Sequence, residues 1–148
     1  MTPAGFDLPI RVLYGGKGYE VLATMRYWSP RYKKWITAPW KMIYDGSTGV
    51  PDLLTAGPVY HDVVCHWKSF DDGTPCSNLQ ASFIIHDVMK DEGRWGRCKG
   101  YFVGTLIGRP ISNFFGSLAF WSKKKSGVTW PKTPEGDALI ASRKCYGL

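Results

Sequence analysis

Two neighbouring segments hold the residue types that are best suited to chemistry. The first is a glycine-rich acidic stretch over 45–52, which reads DGSTGVPD, and the second is the segment 60–66, which reads YHDVVCH. A histidine beside an aspartate has the make-up of a general base and its partner, and the acidic stretch can supply a further carboxylate. We therefore take His61, Asp62 and Asp45 as candidate catalytic residues.

The first arrangement that these residues predict is a calcium site. Glycine-rich turns leave backbone carbonyls free to bind a hard cation, so the carbonyls near Gly46 and Gly49 would join the carboxylate of Asp62 around calcium. His61 would then activate a water molecule, and the cation would stabilise the oxyanion that forms. This arrangement predicts a hydrolase.

Two further arrangements use the same segment differently. In one, Asp62, His66 and a third group such as Asp45 hold a transition metal such as zinc. In the other, Cys65 acts as a nucleophile beside His61. The residue types do not choose among the three arrangements.

A helix over 58–68 would bring these side chains to one side. At 100° per residue, one arc is apolar and the other holds His61, Asp62, Cys65, His66 and Lys68, with Asp62 and His66 one turn apart. The alternative interpretation is an ordinary amphipathic surface helix whose polar arc is only solvated. Histidine and cysteine are unusual choices for such an arc, which surface helices usually fill with Lys, Glu and Gln.

The first third of the chain has the composition of β-strands. Aromatic and branched residues fill 10–14, 19–28 and 35–43, and turn-forming residues separate them. The segments 25–28 and 34–37 predict a hairpin with aromatic cross-strand pairs. Pro39 is expected to confine the third strand to an edge or to split it, because proline donates no ladder hydrogen bond.

The middle of the chain predicts helices. Gly57-Pro58 opens the first, and Thr74-Pro75 is expected to begin a second that Gly93 ends. On that second helix Asp87 is expected to be solvated and His86 to lie at the edge of the core. A third helix is expected over 94–107.

The third helix carries an unusual glycine pattern. Glycines recur every four residues at 96, 100, 104 and 108, which favours close packing of another helix there. The apolar window 101–121 contains Arg109 and Pro110, so a membrane contact is disfavoured. Residues from 122 onward are expected to be a basic loop with a short segment over 138–142.

Composition limits the class of protein. The chain has 148 residues, which suggests one domain, and its net charge of +7, to which Arg143 contributes, suits a polyanionic partner or simply a soluble basic protein. No nucleic-acid motif accompanies the lysines at 123–125, so any nucleic-acid binding is not expected to be sequence-specific.

The four cysteines fit no zinc motif, and free thiols are expected. The N-terminus lacks a signal-peptide pattern, which predicts the cytoplasm or a particle.

The order of these features resembles a known family. Matching positions are Asp45, Gly46, Ser47, Gly49, Pro51, His61 and Asp62, followed by 90–93 and 94–108. Over about 35–108 the chain resembles the phage-encoded proteins grouped as domain of unknown function family 1353, which implies a bacteriophage or prophage origin. The chain departs from that family at Ala81-Ser82, where members carry Ala-Asp.

The glycine loop and His-Asp helix also resemble pancreatic-type phospholipases. That resemblance implies Asp62 as a calcium ligand and His61 as the base, with Ser82 in place of the orienting aspartate.

Together these features predict a single α+β domain, with a small N-terminal antiparallel β part over 1–44, a glycine-rich loop over 45–57, a helical part over 58–121 and a basic C-terminal part over 122–148. The favoured function is a phage accessory protein that acts by binding in the virion or its assembly. Other phage proteins, or copies of the chain itself, are the expected partners. The alternatives are a His-Asp hydrolase that acts on lipid or cell-envelope material during lysis, and a membrane-active lysis accessory.

Overall fold

Short antiparallel strands and three helices form the part of the chain that the computed structural model describes, residues 9–13, 18–44, 56–91 and 127–144. The strands are β1 Ile10–Val12, β2 Tyr19–Val21, β3 Met25–Ser29, β4 Lys34–Ala38 and β5 Ile43–Tyr44. The helices are α1 Gly57–Trp67, α2 Asn78–Asp91 and α3 Pro134–Lys144. The predicted α+β class is confirmed.

The strands form two small antiparallel sheets. One has the order β1-β2-β5, and the other is the β3–β4 hairpin. In the hairpin Trp28 stands directly opposite Trp35, with ring centroids 5.3 Å apart. The predicted hairpin and its aromatic cross-strand pair are confirmed.

Pro39 divides the predicted third strand between the two sheets. The chain leaves β4 at Ala38 and turns, with the Met42 amide donating to the Pro39 carbonyl over 3.1 Å, before β5 begins. Val21 holds this turn from the other sheet, because its amide donates to the Met42 carbonyl and its carbonyl accepts from the Lys41 amide, both at 2.8 Å. The expectation that Pro39 limits or splits the strand is confirmed.

Local capping signals set where the first two helices begin and end. α1 has Pro58 in its first turn and ends at Trp67, and the C-cap residue Lys68 adopts a left-handed conformation (φ 53°). The predicted start of α2 at Thr74-Pro75 is wrong. Ser77 and Gln80 form a reciprocal capping box, in which the Gln80 amide donates to Ser77 Oγ and the Ser77 amide donates to Gln80 Oε1.

The C-terminal segment, expected to be mostly loop, contains the full helix α3. Thr133 Oγ1 accepts from the Gly136 amide over 3.0 Å, and Pro134 follows this cap as the first helical residue. Acidic residues occupy the first turn and basic residues the last, which suits the helix dipole. Thr133-Pro134 is a typical helix start, but the mixed polar composition of 127–137 favoured the interpretation as a loop.

The core lies between α1, α2 and the strands, and α1 packs against both α2 and β4. Its fully buried members are Val21, Ile36, Ala38, Met42, Val59, Val63, Val64, Ala81 and Ile84. Both cysteines in the described residues, Cys65 and Cys76, are free and buried.

Several predictions concern residues outside the described ranges. These are residues 45–55 of the glycine-rich loop predicted over 45–57, the third helix predicted over 94–107 with the glycines up to 108, the apolar window 101–121, the lysines at 123–125, Cys98 and Cys145. Within the described ranges, no helix has both the length and the apolar character needed to cross a bilayer.

Candidate functional site

One turn of α1 brings three of the reactive side chains together. His61 Nδ1 lies 3.4 Å from Asp62 Oδ1, and Cys65 Sγ lies 3.6 Å from His61 Nε2. Asp62 and Cys65 are buried, whereas the side chain of His61 remains 25% exposed. The interpretation of this arc as a merely solvated face is therefore wrong for Asp62 and Cys65, because α1 is packed against neighbouring elements on more than one side.

Cys65 Sγ does not contact one nitrogen of the His61 ring in preference to the other. Cys65 Sγ is 3.9 Å from His61 Nδ1, only slightly farther than from Nε2. Burial by itself would lower the pKa of His61, but the neighbouring Cys65 and Asp62 overcome that effect and hold the pKa of His61 well above 6.5. The contacts with Cys65 and Asp62 thus favour the protonated form of His61.

His66 belongs to a different cluster. Its ring stacks parallel on Trp130 with centroids 6.0 Å apart and meets Trp67 edge-on at 4.8 Å. Burial and the positive charge of Arg143 lower the pKa of His66. His66 therefore packs in an aromatic cluster while Asp62 contacts His61.

The metal predictions depend on residues outside the described ranges. Asp45, Gly46 and Gly49 all lie there, so the calcium and zinc arrangements stay predictions. Among the described residues, no group of three or more His, Cys, Asp or Glu side chains is arranged to hold a metal ion.

Ser82 occupies the position at which the resemblance implies an orienting aspartate. Its side chain is buried, and its hydroxyl donates to the Asn78 carbonyl of its own helix over 3.1 Å. This hydroxyl satisfies the helix backbone, as buried serines in helices commonly do.

The second His-Asp pair is part of an ion-pair cluster. Asp87 accepts two hydrogen bonds from Arg31, at 2.7 and 2.9 Å, and its Oδ1 lies 3.3 Å from His86 Nδ1. The prediction of a solvated Asp87 is wrong, because the β3–β4 turn carries Arg31 over it. Burial raises the pKa of Asp87, but Arg31 and His86 outweigh that effect and the net pKa is lowered.

The outer face of the hairpin forms a feature that the sequence did not predict, an open groove of about 640 Å³. We call it the tryptophan groove. The hairpin, the loop at 71–72 and α3 surround it, and its lining residues are Arg26, Trp28, Lys33, Lys34, Trp35, Thr37, Asp71, Asp72, Glu135, Leu139 and Ser142. The alternation of side chains along β3, from Met25 to Ser29, is enough to predict that Arg26 and Trp28 face outward. It cannot predict the walls of the groove, because these come from residues distant in sequence.

Two large aromatic rings form the exposed apolar part of the groove. Trp28 and Trp35 remain 43% and 42% exposed, although they pack against each other. The guanidinium of Arg26 lies 4.4 Å from the centroid of the Trp35 ring. This cation–π contact restrains Trp35 on one side and leaves a ready-made aromatic surface.

Asp71 joins the three walls of the groove. Its Oδ1 accepts from the Thr37 amide over 2.9 Å and from Arg143 over 3.3 Å, and its Oδ2 accepts from the Thr37 hydroxyl. Its backbone carbonyl accepts from the Ser142 hydroxyl over 2.7 Å. Burial raises the pKa of Asp71 despite these donors and the positive charge of Arg143.

Arg143 contributes to the net charge but not to the exposed surface of the protein. It is only 2% exposed, and its guanidinium lies 5.3 and 5.6 Å from the ring centroids of Trp67 and Trp130. Burial lowers the pKa of Arg143, and Asp71 opposes that effect. The arginine therefore ties α3 to α1 and to the groove.

Comparison with known proteins adds no assignment. The sequence matches no protein-family model, no curated protein and no solved structure. The resemblance to phage proteins accordingly stays a prediction.

Proposed function

We propose that this protein is a bacteriophage accessory protein that acts by binding, as a component of the virion or of its assembly. The observation that carries the proposal is the exposed pair of tryptophans, Trp28 and Trp35, framed by polar walls in the tryptophan groove. Tryptophan buries a large apolar area when covered, and it is enriched among the residues that dominate binding energies.

The construction of the groove supports a binding role. Its walls are held by the hydrogen bonds of Asp71 and by the buried Arg143, so the two indole rings are presented on a braced surface. The protein therefore loses little conformational freedom when a partner covers the two rings, and such preorganisation favours affinity. The phage origin is supported only by the motif positions from Asp45 to Asp62.

The test is retention of the protein in purified particles of the phage or prophage that encodes it. Mass spectrometry of particles should detect the wild-type chain and the His61→Ala variant at equal levels. The Trp28→Ala/Trp35→Ala variant should be depleted at least tenfold. Absence of the wild-type chain from particles, or depletion that follows His61 instead, would contradict the proposal.

The specific observation that favours a second candidate is the contact series Cys65–His61–Asp62. A thiol, an imidazole and a carboxylate in contact have the make-up of a nucleophile, its base and an orienting group. The second candidate is therefore a hydrolase acting on lipid or cell-envelope material during lysis, with or without calcium.

Calorimetry with calcium and with zinc, on the wild type and on Asp62→Asn, tests this candidate together with fatty-acid release from phospholipid vesicles. Fatty-acid release that is lost in Asp62→Asn would favour the hydrolase, and metal binding lost in the same variant would favour its metal-dependent form. No release by the wild type would contradict this candidate. Circular dichroism must show that Asp62→Asn is folded, since Asp62 is buried.

A further inference from the structure

We infer that the tryptophan groove binds a neutral polyhydroxylated glycan, with a sugar ring stacked on the Trp28–Trp35 pair. This inference rests on the proposed binding function and names the ligand class of the same surface. Three features of the groove support it: its aromatic surface, its polar walls and its charge balance.

The aromatic surface suits a ring that is apolar on one face. The ring planes of Trp28 and Trp35 are tilted by 59° to each other, so the two indoles form an angled surface and not a flat platform. The C–H face of a pyranose ring can rest against an indole, while its hydroxyls project sideways. The sugar thereby covers apolar area of each exposed indole that would otherwise face water.

The walls offer both hydrogen-bond donors and acceptors. Lys33 and Arg26 supply donors, and the carboxylates of Asp72 and Glu135 supply acceptors. A sugar hydroxyl both donates and accepts, so a mixed lining can satisfy adjacent hydroxyl groups. A volume of about 640 Å³ lies within the range of pockets that hold small ligands.

The charge balance disfavours the polyanion that the net charge of the chain suggests. Within the described lining, three cationic side chains, those of Arg26, Lys33 and Lys34, stand beside three carboxylates, those of Asp71, Asp72 and Glu135, and Asp71 is also paired with the buried Arg143. Lys34 is moreover in an ion pair with Asp72 at 2.6 Å. The carboxylates of Asp72 and Glu135 would repel nucleic-acid phosphates and offset the attraction of the lining cations, whereas binding of a neutral glycan depends on neither.

The chain supplies its own control tryptophan. Trp40 is 46% exposed, as much as the groove pair, and its amide donates to Thr24. Trp40 is not among the described residues that line the groove. A ligand that merely adheres to exposed indoles would therefore respond to Trp40, whereas a groove ligand would not.

The experiment is a titration of the full chain with three neutral hexasaccharides: β-1,4-linked glucose, α-1,4-linked glucose and β-1,4-linked N-acetylglucosamine. An oligodeoxythymidine serves as the polyanionic comparison. Two-dimensional NMR of the indole N–H groups follows binding in the wild type, with the signals of interest assigned from the variants of Trp28, Trp35 and Trp40. At least one glycan should shift the signals of Trp28 and Trp35 and leave that of Trp40 in place.

Affinities of variants complete the test. Trp28→Ala and Trp35→Ala should each weaken glycan binding about tenfold or more, while Trp40→Ala leaves it unchanged. Trp28→Tyr retains an aromatic face and should keep most of the affinity, which separates loss of stacking from loss of folding. Binding should change little with salt, because no counterions are released.

Three results would overturn the inference: binding of none of the three glycans, equal dependence on Trp40, or binding of oligodeoxythymidine alone with steep salt dependence. The particle-retention test separates this failure from failure of the proposed function. A chain that is retained in particles through Trp28 and Trp35, yet binds no glycan, keeps its binding role with a different ligand.

Discussion

Asp71 is predicted to be the residue on which the geometry of the tryptophan groove most depends. Asp71→Ala removes the acceptor for the Thr37 amide, the Thr37 hydroxyl and one nitrogen of Arg143. Arg143 is 2% exposed, and its Nε already has no hydrogen-bond partner within the described part of the chain. The substitution would therefore leave a buried guanidinium that still donates to the Leu139 carbonyl, 3.0 Å from Nη1, but has lost its carboxylate.

The size of the effect follows from the burial of the pair. Truncating one partner of a buried ion pair costs about 3–5 kcal/mol, and the 14% exposure of the Asp71 side chain places the cost near about 3 kcal/mol. For a chain of about this length that corresponds to a fall of roughly 6–12 °C in melting temperature. Asp72→Asn is the matched control, because its partner Lys34 is partly exposed and the expected loss is about 1 kcal/mol or less.

An isosteric variant separates the charge of Asp71 from its hydrogen bonds. In Asp71→Asn the new side-chain carbonyl can still accept from the Thr37 amide and from Arg143, and the new amide group can donate to the Thr37 hydroxyl. Arg143 then loses only the charge of its partner, so a loss smaller than that of Asp71→Ala, about 1–2 kcal/mol, is expected at neutral pH. Burial raises the pKa of Asp71 above 3.8, so the folded state holds this proton more tightly than the unfolded state. The stability that protonated Asp71 contributes is complete below pH 3.8 and is lost as the pH rises through the folded-state pKa.

Urea unfolding of the three variants, followed by circular dichroism at pH 7 and about pH 3, checks both parts of the prediction. The free-energy gap between wild type and Asp71→Asn should be wider at the acid pH. A loss below about 1 kcal/mol for Asp71→Ala, equal to that of Asp72→Asn, would refute the assigned role of Asp71.

Three further outcomes are expected. Gly136→Ala places a Cβ 2.4 Å from the Pro131 carbonyl oxygen, so the start of α3 must shift at a cost of about 2 kcal/mol in thermal unfolding; an unchanged melting temperature would contradict this contact. Asp87→Asn should cost about 1 kcal/mol at neutral pH. The lowered pKa of Asp87 means that this contribution is present above pH 3.8 and lost as the pH falls through the folded-state pKa, so unfolding curves of variant and wild type should converge in acid. NMR titration should find His61 still protonated above pH 6.5, and Cys65→Ala should move its pKa back down; an unmoved midpoint would remove Cys65 as the cause.

The pattern of apolar, polar and turn-forming residues was sufficient to predict those elements in which the interacting residues are close in sequence. The β3–β4 hairpin follows from alternation and turn residues, and its register places Trp28 opposite Trp35 as expected. α1 follows from its proline start and its apolar spacing. The start of α2 was mispredicted because two cap signals lie three residues apart, and the Ser77–Gln80 capping box satisfies two backbone donors where Thr74-Pro75 offers less.

The contacts within the reactive segment were only partly predictable. Helical spacing alone brings His61, Asp62 and Cys65 onto neighbouring positions, since i and i+4 side chains meet on a helix. The burial of Asp62 and Cys65 required α1 to be enclosed by α2 and β4, which spacing does not reveal. His66 was grouped with them by spacing, yet its ring packs in another cluster against Trp130, which is distant in sequence.

The sequence by itself determined the class of the fold, the hairpin and the residues that meet along α1, because those depend on periodicity, caps and turns. Only the tertiary structure decided that Arg143 is buried, that Asp71 joins the hairpin to α3, and that the described groove walls carry balanced charge. The physical reason is distance along the chain. The hairpin, the loop at 71–72 and α3 are far apart in sequence and share no local pattern. Their charged side chains interact only because packing brings them to one surface.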